Sequence, residues 1–348
     1  MRSPFHLRAI VALALSALAL GVAACGSDDE ESAGGSGSGT TEQQEPIRVG
    51  LVTDIGGLND RGFNQLANTG LERAKKELGV EGRVITSDSN SDYIPNLSTL
   101  AQQRYDLIVA VGFLMGDATN TIATRFPQQK IAIVDFSQAA LKNKPTNVQG
   151  LLFRENEAGY LAGYLAGLYA KDNDIDTISS VGGQKVPAVD SFIAGYQTGA
   201  DAARPGIRTL TAYSQDFVDQ GECKEIALNQ LERGSGVVFA VAGQCGLGAL
   251  DAAREQDALG VGVDADQSFL GPHILTSAVK RVDTAVFNAI KAVQDGTFKG
   301  GSDVVFDLKS QGVGLGKIGA DGQKYAEQIE EVEQQLAAGE IDVPSTLE

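Results

Sequence analysis

From Ile47 onward the chain alternates short apolar runs with helical patterns almost without a break, and that alternation limits the folds open to it. The runs are RVGLVTD, RVITSD, DLIVAVG, KIAIVD and NVQGLLF, then DTISSVGG, IRTLTAYS, GVVFAVAG, GVGVDAD, HILTSAVK and DVVFDLKS. Between most of them apolar residues recur at helical spacing, as in Asn64 to Leu78 with Leu66, Leu71, Ala74 and Leu78. Such alternation implies an α/β fold, with parallel sheets covered by helices on both faces. Eleven strands exceed one comfortable sheet, so two doubly wound lobes joined by a hinge are expected. A (β/α)8 barrel needs eight strand–helix units, and this chain has more strands. GVGVDAD and HILTSAVK stand too close for a regular βαβ unit, which suggests a crossing between lobes there. The first crossing is expected near Gly150–Phe153. The lobes are then 47–151 with about 275–300, and 152–274 with about 301–348.

Residues 1–24 read as a leader rather than as part of the fold. Arg2 and Arg8 supply a basic start and AIVALALSALALG an apolar stretch of signal-peptide length. VAAC resembles a bacterial lipobox, in which Cys25 carries lipid and becomes the mature N-terminus; ordinary cleavage near the alanine pair is the alternative. Residues 25–46 are Gly, Ser, Thr and acid, with almost nothing to bury, and are expected to be a disordered tether. Such a tether holds the folded part roughly 25 Å from its anchor. The only membrane contact expected is through the Cys25 lipid, on the extracellular or periplasmic side.

The net charge is −17, and losing residues 1–24 removes two arginines and no acids, which makes it −19. That balance argues against nucleic acid and anionic lipid surfaces as partners. Cys223 and Cys245 remain in the exported part. They suggest a disulfide worth about 3 kcal/mol in the chain-entropy model, with free buried thiols as the alternative. His273 is the only histidine after the leader, so no metal site is expected, and no cofactor. A nucleophile elbow and a His-based triad are both missing, and the acids are dispersed over separate strands, so catalytic residues are not expected.

In open α/β sheets ligands bind outside the carboxyl ends of strands. The residues there are Asp54, Phe63 and Asn64 after the first strand, Gly112 after the third and Asp135 after the fourth. Phe217, Gly243 and Asp264 follow the seventh, eighth and ninth. The loop DIGGLNDRGFN has glycines that fit no phosphate-binding pattern, and its acids would repel phosphate. It offers hydrogen bonds and one aromatic face to something uncharged. Taken singly, Asp54, Asp135 and Asp264 read equally well as helix caps, and Phe63 or Phe217 as core. In ENEAGYLAGYLAGLYAKD the small residues would let a helix approach a sheet closely, with Glu155 and Glu157 capping its start.

VTDIGGLNDRGFNQLA, NVQGLLFRENEAGYLAGYLAGL, VAGQCGLGALDAARE and GVGVDADQSFLGPHILTSAVKRVDTAV resemble the basic membrane lipoprotein family. These are substrate-binding lipoproteins of ABC importers, several of which bind purine nucleosides. The resemblance runs from about Ile47 to at least Gly316, and implies a periplasmic-binding-protein fold. It implies that Phe63 stacks on a base, that Phe217 closes the sandwich from the other lobe, and that Asn64 is the neighbouring amide. Asp54 and Asp135 would read the base, Asp264 would hold the ribose hydroxyls, Lys280 would reach the sugar, and Gly243 would offer its backbone. Cys245 departs from the family pattern, where small residues are usual at that place; a bridge between Cys223 and Cys245 would stiffen one wall of the site. The implied function is a monomeric, membrane-anchored receptor that passes a nucleoside to an ABC permease. A receptor or sensor for a sugar or other small solute is the alternative, and a nucleoside-cleaving enzyme is less well supported.

Overall fold

The computed structural model describes residues 45–347. The strands are β1 (Arg48–Val52), β2 (Glu81–Ile85), β3 (Leu107–Val111), β4 (Lys130–Val134), β5 (Val148–Phe153) and β6 (Thr177–Gly182). They continue as β7 (Arg208–Tyr213), β8 (Ser235–Val241), β9 (Leu259–Asp264), β10 (Ile274–Lys280), β11 (Ser302–Phe306) and β12 (Val313–Leu315). The α-helices are α1 (Phe63–Leu78), α2 (Tyr93–Gln102), α3 (Gly116–Arg125), α4 (Glu155–Asp172) and α5 (Pro187–Ala203). After these come α6 (Gln220–Glu232), α7 (Gly246–Glu255), α8 (Val282–Gln294) and α9 (Ala326–Ala338).

Two six-stranded sheets result, ordered β2-β1-β3-β4-β5-β11 and β7-β6-β8-β9-β10-β12. Every pairing is parallel except that of β12 with β10. Helices cover both faces of each sheet, so a central strand such as β3, LIVAV, is apolar and buried at each residue. Strand order reverses between β1 and β3 and again between β6 and β8. At such points the loops part and leave a crevice at the strand carboxyl ends.

Three expectations about connectivity are corrected. β9 and β10 are parallel neighbours in one sheet, Asp264 opposite Val279, linked by residues 265–273 with a single 3-10 turn, so the chain does not cross there. It crosses after β10: α8 packs on α1, and β11 joins the first sheet beside β5. The segment expected as 275–300 of the first lobe therefore begins after Lys280 and runs through Phe306. β12, a twelfth strand, is too short to leave a periodic signal, and returns the chain to the second sheet. Both sheets use the same apolar runs, and nothing in such a run names the sheet it will join.

The glycines of α4 face a helix, α5, although α4 also touches β10 and β12 of the second sheet. A Cβ on Gly163 would lie 2.0 Å from the Tyr196 carbonyl oxygen of α5, and one on Gly195 would lie 2.1 Å from that of Asn156. Bare backbone on both partners is what lets the two axes approach. α4 is buried nearly all round and so lacks the amphipathic stripe of a surface helix.

Candidate functional site

The loop after β1 is tied down by its own side chains. Asp60 accepts the amides of Asn64 at 2.7 Å and of Gly62 and Gln65 at 3.1 Å, which fixes the start of α1. Asn64 accepts the Asp54 amide at 3.0 Å and donates to the Ile55 carbonyl at 3.2 Å. Its amide group is thus committed to the loop and positions its neighbours. Asp54 accepts the Ile55 amide at 2.8 Å and the Tyr93 hydroxyl on the same oxygen, Oδ1, which leaves Oδ2 toward the crevice. Gly112, after β3, passes so close that a Cβ would meet that Oδ2 at 2.2 Å.

Asp135 just past β4 and Asp264 at the end of β9 occupy equivalent places in the two sheets. Both have left-handed backbone, φ 65° and 62°, a conformation Asp tolerates better than most residues. Lys280, 2% exposed, reaches from β10 to Asp135 at 2.6 Å and Glu155 at 3.1 Å. Its ammonium lies 5.1 Å from the ring centre of Phe63, 5.0 Å from Phe153 and 5.8 Å from Phe192. Glu155 thus faces Lys280, and Glu157 accepts the Leu308 amide at 2.8 Å; neither caps α4 as expected. The Asp135 Oδ1 atom is buried without a hydrogen-bond partner. Among the described residues no donor reaches the carboxylate of Asp264, which is 7% exposed.

Burial dominates the charges here. Loss of solvent raises Asp54 to about 6 against the opposing bonds from Tyr93 and Ile55. It raises Asp264 and Glu155 each to about 7, with the Lys280 charge pulling the other way. Burial also works against the Lys280 ammonium, but Asp135, Glu155 and Asp264 together overcome it and hold the proton more tightly than usual. Asp135 has that ammonium as its partner at 2.6 Å, and we assign the pair as ionised.

All eight sequence-predicted residues, Asp54, Phe63, Asn64, Asp135, Phe217, Gly243, Asp264 and Lys280, line one cavity of about 670 Å³ counting its mouth. The cavity takes walls from both sheets. Its apolar lining, including Phe113, Val189 and Phe192, escaped sequence reasoning, because apolar residues at helix starts look the same as core. Glu155 escaped because an acid in the first turn of a helix has an ordinary explanation. Cys223 and Cys245 form a disulfide with Cα atoms 5.5 Å apart. No group of acids, histidines or cysteines among the described residues is arranged to hold a metal ion. Cys25 and the leader lie outside the described residues. Among those described, no helix is long and apolar enough to cross a membrane.

Comparisons with known proteins agree with this fold. Residues 47–346 match the family described as ABC transporter substrate-binding protein PnrA-like, Bmp. The ABC transporter nucleoside-binding protein BmpA of Lactococcus lactis is 33% identical over 359 residues, covering 97% of this chain and 98% of that one. An uncharacterised lipoprotein of Pyrococcus abyssi is 37% identical over 303 residues, 83% of this chain and 73% of the relative. An ABC transporter solute-binding protein of Aeropyrum pernix superposes with a TM-score of 0.78 at 29% identity, over 87% of this chain and 94% of that structure. The two-sheet architecture is accordingly that of type I periplasmic binding proteins.

Proposed function

Since this chain belongs to the Bmp family of PnrA-like ABC transporter substrate-binding proteins, we propose that its cargo is a nucleoside, a purine by preference. The family's role is binding and delivery to a permease, and not catalysis. The base lies between Phe63 and Phe217, a face from each side of the cavity, and gains about 1–3 kcal/mol from stacking. Asp54 Oδ2 accepts a base N–H, and Asp264 and the free oxygen of Asp135 accept hydroxyls or a second N–H. Lys280 donates to a sugar oxygen, and Gly243 offers its backbone at the rim.

One observation carries this reading: beside aromatic walls, Asp135 Oδ1 is buried without a donor, and the Asp264 carboxylate from the other sheet, 7% exposed, meets none among the described residues. Ionised carboxylates only accept, as Asp135 does in its pair with Lys280 and Asp264 does above about pH 7, so the ligand must bring donors. The same acids repel phosphate, which selects a nucleoside over a nucleotide. A bare monosaccharide would leave the apolar end of the cavity unfilled.

Glu45–Glu348 is one compact unit and serves for the test. After unfolding and refolding to strip carried-over ligand, it is titrated calorimetrically with adenosine, guanosine, inosine, uridine, ribose and AMP. Micromolar or tighter binding of a nucleoside, absent for AMP, is expected; no heat from any nucleoside removes this cargo from consideration.

We also assign Cys25 as the lipid-bearing N-terminus. The chain expressed in a bacterial host is expected to partition into detergent, and Cys25→Ala into the aqueous phase.

A further inference from the structure

Phe217 stands on the loop between β7, an edge strand, and α6, so one side of its support is missing from the sheet. Ser214 and Gln215 still donate to the Gly182 and Gly183 carbonyls at 2.9 and 3.2 Å; from Asp216 on, the side-chain bonds are local. Ser214 Oγ donates to the Asp216 carbonyl at 2.8 Å, and Asp216 Oδ1 accepts the amides of Val218 at 2.5 Å and Asp219 at 2.6 Å. Phe217 itself has a single backbone hydrogen bond among the described residues: its carbonyl accepts the Cys245 amide at 3.0 Å. Its ring rests on the backbone of Gly183, where a Cβ would lie 2.4 Å from it.

The residue that holds Phe217 is also the one bonded covalently to α6. Cys245 precedes α7 and is joined to Cys223, one turn into α6, the helix that continues from the Phe217 loop. Both cysteines are fully buried. The two helices approach so closely that a Cβ on Gly248 would sit 1.8 Å from the Gln220 carbonyl oxygen. Loop, α6 and Cys245 thus form a closed ring, with the Phe217 carbonyl bond drawn across it.

We propose that the Cys223–Cys245 disulfide is a positioning device for the Phe217 wall, holding the ring in its stacking place before ligand arrives. This rests on the nucleoside reading and deepens it. The bridge does not touch the ligand. It raises affinity by removing the cost of ordering a loop on binding. Its loss therefore matters only while Phe217 is there to be positioned.

The test compares the unsubstituted chain, C223A/C245A, F217A and the triple variant. Calorimetry with the tightest-binding nucleoside is expected to show about a tenfold affinity loss in C223A/C245A, with a less favourable entropy. In the F217A background the same change is expected to shift affinity by less than about twofold. Equal losses in both backgrounds would overturn the proposal and leave the bridge a plain stabiliser. Hydrogen exchange supplies an arm that needs no ligand. The amides of Val218, Asp219 and Cys245 should exchange faster in C223A/C245A, while those of Ile55 and Asn64 stay unchanged. If the unsubstituted chain binds no nucleoside, the cargo reading falls and exchange alone decides: no change at Val218, Asp219 and Cys245 overturns the positioning role. If C223A/C245A does not fold, both measurements are made on the native protein reduced by a phosphine, with its thiols counted.

Discussion

The ammonium of Lys280, at the end of a strand in the second sheet, lies 2.6 Å from the carboxylate of Asp135, just past a strand in the first. A second acid, Glu155, completes the pair from the start of α4, inside an envelope of three phenylalanine rings. A buried pair of this kind adds little over an apolar replacement, but losing one member strands the other. The lysine therefore acts as a fastener between sheets as well as part of the cavity wall.

Replacing Lys280 with Met leaves two buried acids without their cation. Unfolding in urea at pH 8 should show a loss of about 3–5 kcal/mol. The loss should shrink at pH 5, where the stranded acids take up protons. A loss below about 1 kcal/mol at pH 8 would mean that water reaches them after all.

Asp264 sets a pH dependence of definite sign. Its carboxyl is raised from 3.8 to about 7 by burial, so between those values the folded chain holds a proton that the unfolded chain has released. Stability contributed by this group is full below about pH 4 and falls as pH rises to 7. Asp264→Asn should flatten that slope and gain about 2–4 kcal/mol at pH 8, while weakening nucleoside binding. Melting temperatures at pH 5 and 8 decide it; an Asn variant less stable at pH 8 would show Asp264 well solvated.

Phe63→Ala removes one face of the proposed stack. Nucleoside Kd should rise about 10–100-fold, and Phe63→Tyr should restore most of it. Binding unchanged in the Ala variant would place the base elsewhere in the cavity.

Gly163→Ala tests the α4–α5 contact against helix propensity, with opposite signs. Propensity alone favours Ala by about 1 kcal/mol. The contact puts its methyl 2.0 Å from a backbone oxygen, so a net loss of about 1–3 kcal/mol is expected from chemical unfolding. A more stable variant would mean the helices part easily.

The parallel strands and the ends where ligands collect could be read from alternation alone, since burial on both faces writes an unbroken apolar run. What the runs could not carry was partnership. HILTSAVK gives no sign that it sits beside GVGVDAD, and the three residues of β12 are too few to show any period. The same limit holds at the site. Asp54, Asp135 and Asp264 are visible as acids at strand ends, yet only coordinates reveal that Asn64 spends its amide on the loop. Nor could a first-turn Glu155 be distinguished from a helix cap until its distance to Lys280 was known.

The edge strand β11 pairs with β5, and around it Gln149 bonds to Lys299, a partner 150 residues later in the chain. The first sheet therefore cannot complete its rim until nearly all of the polypeptide is available. Its amino-terminal half lacks a finishing strand until the last quarter of the chain has been made, so this sheet closes late in synthesis whatever the order in which its other strands pair.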